Sequence, residues 1–411
     1  LFREIPTNFT SPRFWVPAQI FSGGLNLWIL LYNPRRYILR NFTAGHVIFR
    51  DFVRGFVVFR VFMTTSIINS QKPVQNFINS DLKLKDVIKS LPKECFMQDR
   101  GKAWTKVIAS VLAVGLGYFT LTIAPWFLLP LAWIFTGTAL TGFFVIAHDC
   151  GHRSFAKRRW VNDLVGHLLM MPLIYPFHGW RIQHNYHHTH TNKLDEDNAW
   201  HPIRPQVYES WGKIGQWSFE GFMRNRLWWV GSIGHWVALH FDWRKFKVKD
   251  QAGVKLSAVV VVLFAAITFP TLIATTGIWG FVKFWLAPWL VYHFWMSTFT
   301  LIHHTSPDVP FVAESEWNAV AAQLSGTVHC DYPRWIEFLC HDINVHVPHH
   351  LSTAIPSYNL RLAHQSLRQN WGSSLRECRF SWSLLKQITD KCHLYKTDIG
   401  YQSFKDYHAG L

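Results

Sequence analysis

Between Val107 and Ala147 the chain carries no charged residue, and no other feature limits its fold as strongly. A single helix over this run would extend about 60 Å, twice the roughly 30 Å of a bilayer's hydrocarbon core. Pro125 and Pro130 lie near its middle, where a proline removes a backbone donor and interrupts a helix. Two membrane passes, at about 107–126 and 127–147, satisfy both facts. Leu256 to Pro307 forms a second block, with no acidic residue and Lys283 as its one formal charge. A break near Ala274–Gly280 divides it into passes at about 256–276 and 281–302. The expectation is an all-α integral membrane protein with four transmembrane helices in two hairpins.

Lys and Arg are nearly absent from the two hairpin tips and abundant before residue 107, across 148–255 and after 308. Positive flanks stay inside, so both termini and the large loop are expected on the cytoplasmic (or stromal) face. Apolar, aromatic stretches near 160–180 and 226–242 are bounded by charges and read as helices lying in the interface. The 22 Trp suit a protein with two membrane–water boundaries to anchor. A formal charge of +16 fits an anionic membrane surface or an acidic partner. It does not indicate nucleic acid, because the basic residues flank apolar runs and form no basic helix. The six Cys form no CxxC pair and read as reduced structural thiols.

Of the 23 histidines, eight fall into three clusters. His148 and His152 bracket HDCGH. His184, His187 and His188 form HNYHH, and His346, His349 and His350 form HVPHH. On a helix, positions i, i+3 and i+4 share a face, so each cluster aims its imidazoles at one point. An HxxHH match arises by chance roughly 0.07 times in such a chain, and here there are two. Under the four-pass topology all three clusters open on the same membrane face and can converge. Eight imidazoles exceed the four ligands of a tetrahedral zinc, HExxH is absent, and a heme needs only one or two axial histidines. A pair of iron ions (Fe2+/Fe3+) that activates O2 accounts for all eight.

HDCGHRSFAKRRWVNDLVGH at 148–167, TNKLDEDNAW at 191–200, LPKECF at 91–96 and GTVHCDYPRWIEFLCHDINVHVPHH at 326–350 resemble the membrane acyl-lipid fatty-acid desaturases. The likeness is to the cyanobacterial and plastid omega-6 (Δ12) type. It covers about residues 81–405 and none of 1–62. The resemblance implies a cytosolic helical cap carrying a histidine-box di-iron site. It also implies one further ligand near the end of the fourth span, where His303-His304 stands; His304 is preferred over His303. His293, eleven residues earlier, reads as a hydrogen-bonded or packing group. Asp149 either orients an imidazole or caps a helix. His190 and His341 lie near enough to the clusters to support them, and His167, His178, His235, His240 and His329 read as structural.

The reaction implied is O2-dependent desaturation of a lipid-linked acyl chain, oleoyl to linoleoyl, in a cyanobacterial plasma- or thylakoid-type membrane. Unactivated C–H bonds offer nothing for an acid or base to grip, so an oxidising metal centre is needed. HPGG, GxGxxG and CxxC motifs are all missing. Electrons must therefore come from an external donor, and the resemblance implies ferredoxin. Another histidine-box oxygenase, such as an acyl hydroxylase or a carotenoid hydroxylase or ketolase, shares the same metal chemistry. A metal transporter would instead distribute its histidines through the spans.

Residues 1–62 differ from the rest, with eight Arg, no Lys, ten Phe and no Met. They read as an atypical extension outside the native protein, leaving 63–411 as the desaturase domain. Sequencing the native N-terminus is expected to start at Met63; peptides from upstream would remove this boundary.

Overall fold

The computed structural model describes residues 82–224 and 227–410, with two strands at 27–33 and 36–42. The chain separates into two units, Leu1–Thr65 and Ser66–Leu411. In the first, β1 (Leu27–Asn33) pairs antiparallel with β2 (Arg36–Phe42). The rest of the expectation for residues 1–62 lies outside the described residues.

The second unit is mostly helical. After α1 (Leu84–Lys89) come α2 (Arg100–Ile123) and α3 (Leu129–Gly151). Asp99 caps α2 by accepting the Lys102 amide at 3.1 Å, using a helix-end donor that has no partner of its own. Between α2 and α3, Pro125 and a short turn at Trp126–Leu128 reverse the chain. The following loop carries α4 (Arg159–Met170), α5 (Phe177–His190), α6 (Pro205–Glu209), α7 (Lys213–Arg224) and α8 (Val230–His240). α9 (Val248–Phe281) continues through a π-turn into α10 (Ala287–His304). The remainder folds as α11 (Arg334–Leu339), α12 (His346–Leu351), α13 (Leu360–Trp371), α14 (Trp382–Lys391) and α15 (Phe404–His408).

Among the described residues, three helical stretches are long and apolar enough to cross a membrane: Arg100–Ile123, Trp126–Gly151 and Val248–His304. The third is not one regular helix. Gly277 stands at φ +70°, ψ 176° inside it, a conformation that only glycine enters without strain. This break falls within the Ala274–Gly280 interval expected from the sequence. Leu112, Leu116 and Phe119 on α2 and Leu263 and Ile267 on α9 are exposed, as side chains facing lipid would be.

α3 is the central helix, buried on nearly all sides from Thr136 to Gly151. Its small residues permit this, because glycine lets neighbouring backbones approach closely. A Cβ on Gly137 would stand 2.5 Å from the Pro288 carbonyl oxygen, and one on Gly142 would stand 2.4 Å from that of Leu339. The all-α expectation needs one amendment. Val328–Asp331 pairs parallel with Arg376–Arg379, and Leu394–Lys396 pairs antiparallel with Gly400–Gln402. Three- and four-residue strands are too short to leave a readable alternation in sequence. All six cysteines are free thiols.

Gly142→Leu should destabilise the protein by about 1–3 kcal/mol, because the new side chain meets backbone that cannot step aside. A thermal unfolding midpoint several degrees lower in detergent would show it.

Candidate metal centre

Four helices deliver the clustered histidines. His148 stands in the last turn of α3 and His152 is its C-cap. His187 and His188 occupy the last turn of α5, with His184 one turn earlier, and His303 and His304 end α10. The short α12 supplies His346, His349 and His350. Three helix C-termini thus meet at one place, where the partial negative charge of the helix dipole favours a cation.

The ring nitrogens gather into two sets. Those of His148, His152, His184, His188 and His349 lie within 4.8 Å of one another, and those of His187, His304 and His350 form a second set by the same measure. His346 joins the second set through His304, with Nε2 to Nε2 at 2.8 Å. His184 Nε2 faces His148 Nε2 at 3.0 Å and His188 Nε2 at 3.1 Å. His304 Nε2 likewise faces His187 Nε2 at 3.3 Å. One imidazole nitrogen carries at most one proton, so hydrogen bonding cannot satisfy such many-sided meetings. Adjacent nitrogens bound at about 2.1 Å to one ion would themselves be about 3 Å apart. These spacings fit shared metal ions.

The tautomers support the same reading. His187 Nδ1 donates to Asp197 Oδ1 at 2.6 Å, and His350 Nδ1 donates to Gln323 Oε1 at 2.9 Å. Each bond fixes the proton on Nδ1 and turns the Nε2 lone pair inward, as a histidine ligand requires. Asp197 is itself held by the amides of Asn192 and Ala199, both at 2.9 Å. Gln323 is oriented by donating to the His188 carbonyl at 2.6 Å. Burial alone would raise the Asp197 pKa, but attraction to His187 and their hydrogen bond outweigh it and hold the carboxyl at about 2. Burial, reinforced by neighbouring imidazoles, pushes His152, His184, His188, His346, His349 and His350 well below the ordinary histidine range. They stand neutral, and Nε2 of His349 and His350 is buried without a protein partner.

His303 takes a different place from His304. Its ring stacks on His346, centroids 4.4 Å apart, and it belongs to neither set. Asp149 neither hydrogen-bonds an imidazole nor caps its own helix. Oδ1 is 3.8 Å from His148 Nδ1, beyond hydrogen-bond reach, while Oδ2 accepts the Ser357 amide at 3.0 Å. His190 pairs with Glu196, and His341 bonds Ser110 Oγ at 2.6 Å. His167 bonds Ser257, His235 the Asn198 carbonyl, and His329 Asp331. His178 meets Arg181 Nε, and His240 the Trp236 carbonyl.

Asp197 and Gln323 were not singled out from the sequence. A carboxylate nine residues after His188 was the available signal, but Asp195, Glu196 and Asp197 stand in a row and spacing does not choose among them. Gln323 offers no local signal.

A cavity of about 420 Å³ adjoins the metal centre. His148, His184, His187, His304 and His346 line one part of it, and Phe144, Trp180, Met296 and Phe299 contribute apolar wall. Trp180 stacks over His184 with centroids 4.7 Å apart.

Apolar helices long enough for a bilayer, two sets of histidines that could hold metal ions and an adjoining, largely apolar cavity are the features that the class of the protein must explain. The chain matches the family "Fatty acid desaturase" over residues 124–382. It is similar to the sn-1 oleoyl-lipid 12-desaturase of Anabaena variabilis, 74% identical over 84% of this chain and 98% of that protein. The enzyme of the same name from Synechocystis is 57% identical over 82% of this chain and 94% of its own length. The chloroplastic omega-6 fatty acid desaturase of Glycine max is 54% identical over 77% of this chain and 74% of its length. The chain belongs to the fatty acid desaturase family.

Glu337 holds the approach to the third cluster. Its buried carboxylate accepts the Tyr332 amide and Asn344 Nδ2, each at 3.1 Å, and pairs with Arg361 at 2.9 Å. Glu337→Ala should cost about 1–3 kcal/mol by stranding these buried donors. A lower unfolding midpoint with weaker metal retention is expected, because Asn344 precedes His346 by two residues.

Proposed function

We propose that this protein is an integral-membrane, iron-dependent desaturase that introduces the Δ12 double bond into a lipid-linked oleoyl chain, giving linoleoyl. The observation that carries this is the meeting of nine imidazoles, in two adjoining sets, at the wall of a largely apolar cavity. The names of the similar proteins supply the substrate and the bond position.

In this reading His148, His152, His184, His188 and His349 hold one iron, and His187, His304, His346 and His350 hold the other. The metal pair, when bound, supplies the oxidising power that O2 and two electrons bring to an unactivated C–H bond. The chain's own residues prepare the place for it. Asp197 and Gln323 set the tautomers of His187 and His350, and burial favours the neutral form of His152, His184, His188, His304, His346, His349 and His350. Phe144, Trp180, Met296 and Phe299 exclude water and hold a hydrocarbon chain beside the metal centre, so that one carbon pair is presented repeatedly in one geometry.

The membrane arrangement proposed is four passes in two hairpins, with the break at Gly277 separating the third from the fourth. The histidines then lie on the cytoplasmic or stromal face, beneath the helices and loops of the 152–247 and 305–410 segments. Electrons come from an external donor, with ferredoxin as the expected one; the basic character of the chain suits an acidic partner. Residues 63–411 make up the catalytic unit.

Expression of the full chain, with ferredoxin, in a host that makes oleate but no linoleate should yield linoleate, read by gas chromatography of total fatty acids. His187→Ala should abolish it and lower the iron bound per chain. A hydroxylated acid, or no new acid from a membrane-inserted, iron-loaded protein, would overturn the reading.

A further inference from the structure

Two thiols outside the histidine sets stand side by side. β3 (Val328–Asp331) and β4 (Arg376–Arg379) pair parallel, with Cys330 and Cys378 as direct partners in the register. Residues paired in this way project from the same face of a sheet. The Cys330 thiol is within hydrogen-bond reach of the Cys378 sulfur, and the Tyr332 hydroxyl lies beside both. The Asp331 carbonyl is 3.9 Å from Cys330 Sγ, a long contact that leaves the thiol free to turn. Neighbouring strands run about 4.8 Å apart, inside the roughly 4.4–6.8 Å that a disulfide spans between Cα atoms. Both cysteines are free thiols in this structure.

The two sulfurs differ in access. Cys330 is buried, and Cys378 alone of the six cysteines is partly exposed. Burial, with Cys378 beside it, pushes the Cys330 thiol well above its ordinary range, so Cys378 meets an oxidant first. With hydrogen peroxide as that oxidant, the Cys378 sulfur attacks one peroxide oxygen. The O–O bond breaks, leaving a sulfenic acid and one water. The Cys330 sulfur then attacks the Cys378 sulfur, the S–O bond breaks, and hydroxide leaves with the Cys330 proton as a second water. The two thiols lose two electrons and two protons in all, and the peroxide is reduced by the same two electrons. A reducing dithiol reverses the bond by exchange and is itself oxidised to a disulfide.

What happens at β3 reaches the histidines. The Cys330 amide donates to the Asn344 carbonyl at 3.4 Å, and Asn344 Nδ2 donates to the Cys330 carbonyl at 3.0 Å. Asn344 precedes His346 by two residues, and β3 packs against both α10 and α12, which carry His304, His346, His349 and His350. Disulfides most often hold their Cα atoms about 5.5–6 Å apart, so closure has to widen the strand pair. The strain makes the bond easy to reduce, and the widening displaces the backbone to which Asn344 is bonded.

We propose that Cys330 and Cys378 are a redox modification site, a dithiol that a peroxide closes to a disulfide and a reducing dithiol reopens, and that closure loosens the hold of the His346 segment on metal. On a cytoplasmic or stromal face such bonds are transient and regulatory more often than structural. The effect on metal rests on the reading of His346 as an iron ligand; the disulfide itself does not.

The test uses the full, iron-loaded chain in detergent, titrated with hydrogen peroxide, with three readings: free thiols, linked peptides by mass spectrometry, and the rate of iron loss to a chelator. Free thiols should fall from six to four, with one linked pair of peptides containing Cys330 and Cys378, and dithiothreitol should restore all six. Iron loss should quicken about tenfold on oxidation and slow again on reduction. Cys378→Ser should show neither the link nor the faster loss. Peroxide that oxidises other cysteines, or takes Cys378 to a sulfinic acid, while the pair stays unlinked overturns the site. A linked pair whose iron loss is no faster than that of peroxide-treated Cys378→Ser overturns the proposal as well. If that variant fails to accumulate, iron loss from the unmodified chain before and after dithiothreitol decides instead. A chain that binds no iron before oxidation would count against the proposed function, and the thiol readings would still decide the disulfide.

Discussion

Imidazoles turned toward one another, most of them buried, form the arrangement on which the rest of the protein depends. Burial keeps most of them uncharged, which leaves lone pairs facing lone pairs at about hydrogen-bond distance with too few protons to share. A cation removes that conflict, and three helix C-termini make the place still more receptive to one. The fold must hold the rings in position without help from their mutual contacts. It does so from behind, through Asp197 on His187, Gln323 on His350, and the stack of Trp180 on His184.

Rigidity of this kind needs a stiff support, and α3 provides it. Its glycines let it lie against α10 and α11 at backbone contact, so the helix whose last turn carries His148 is packed along most of its length. Trp295 reaches it from α10 with an indole N–H to Thr138 Oγ1 at 2.8 Å. The same packing seats α10, and with it His304 and the wall of the cavity. The apolar helices, the histidine sets and the cavity are therefore parts of one mechanical body. A shift in α10 changes the metal centre and the cavity together.

Much of this was legible in the sequence because it was written in strong, repeated signals. The uncharged run at 107–147 and the near-uncharged block at 256–307 locate the apolar helices, and the i, i+3, i+4 histidines announce rings on one helix face. The preference for His304 over His303 came from resemblance, and the geometry separates them through the direction each side chain takes at the end of α10. What stayed hidden depended on tertiary contact. Asp197 sits in a row of three acids of which one reaches His187, and Gln323 reaches His350 and the His188 carbonyl, 27 and 135 residues away in sequence. Asp149 was weighed for two local roles, yet its carboxylate is spent on Ser357, across the fold. The short strand at Val328–Asp331 exists because Arg376–Arg379 is there to pair with it, and no periodicity of four residues could disclose that.

The six-residue helix α12 has a consequence for how the protein comes into being. His349 belongs with one set of nitrogens and His350 with the other, so consecutive residues near the end of the chain complete both. A ribosome that has delivered residues 100–304 has made most of the donors but has finished neither set. Both sets therefore depend for a ring on the same six-residue helix. A chain that stops short of α12 lacks at least one donor of each set.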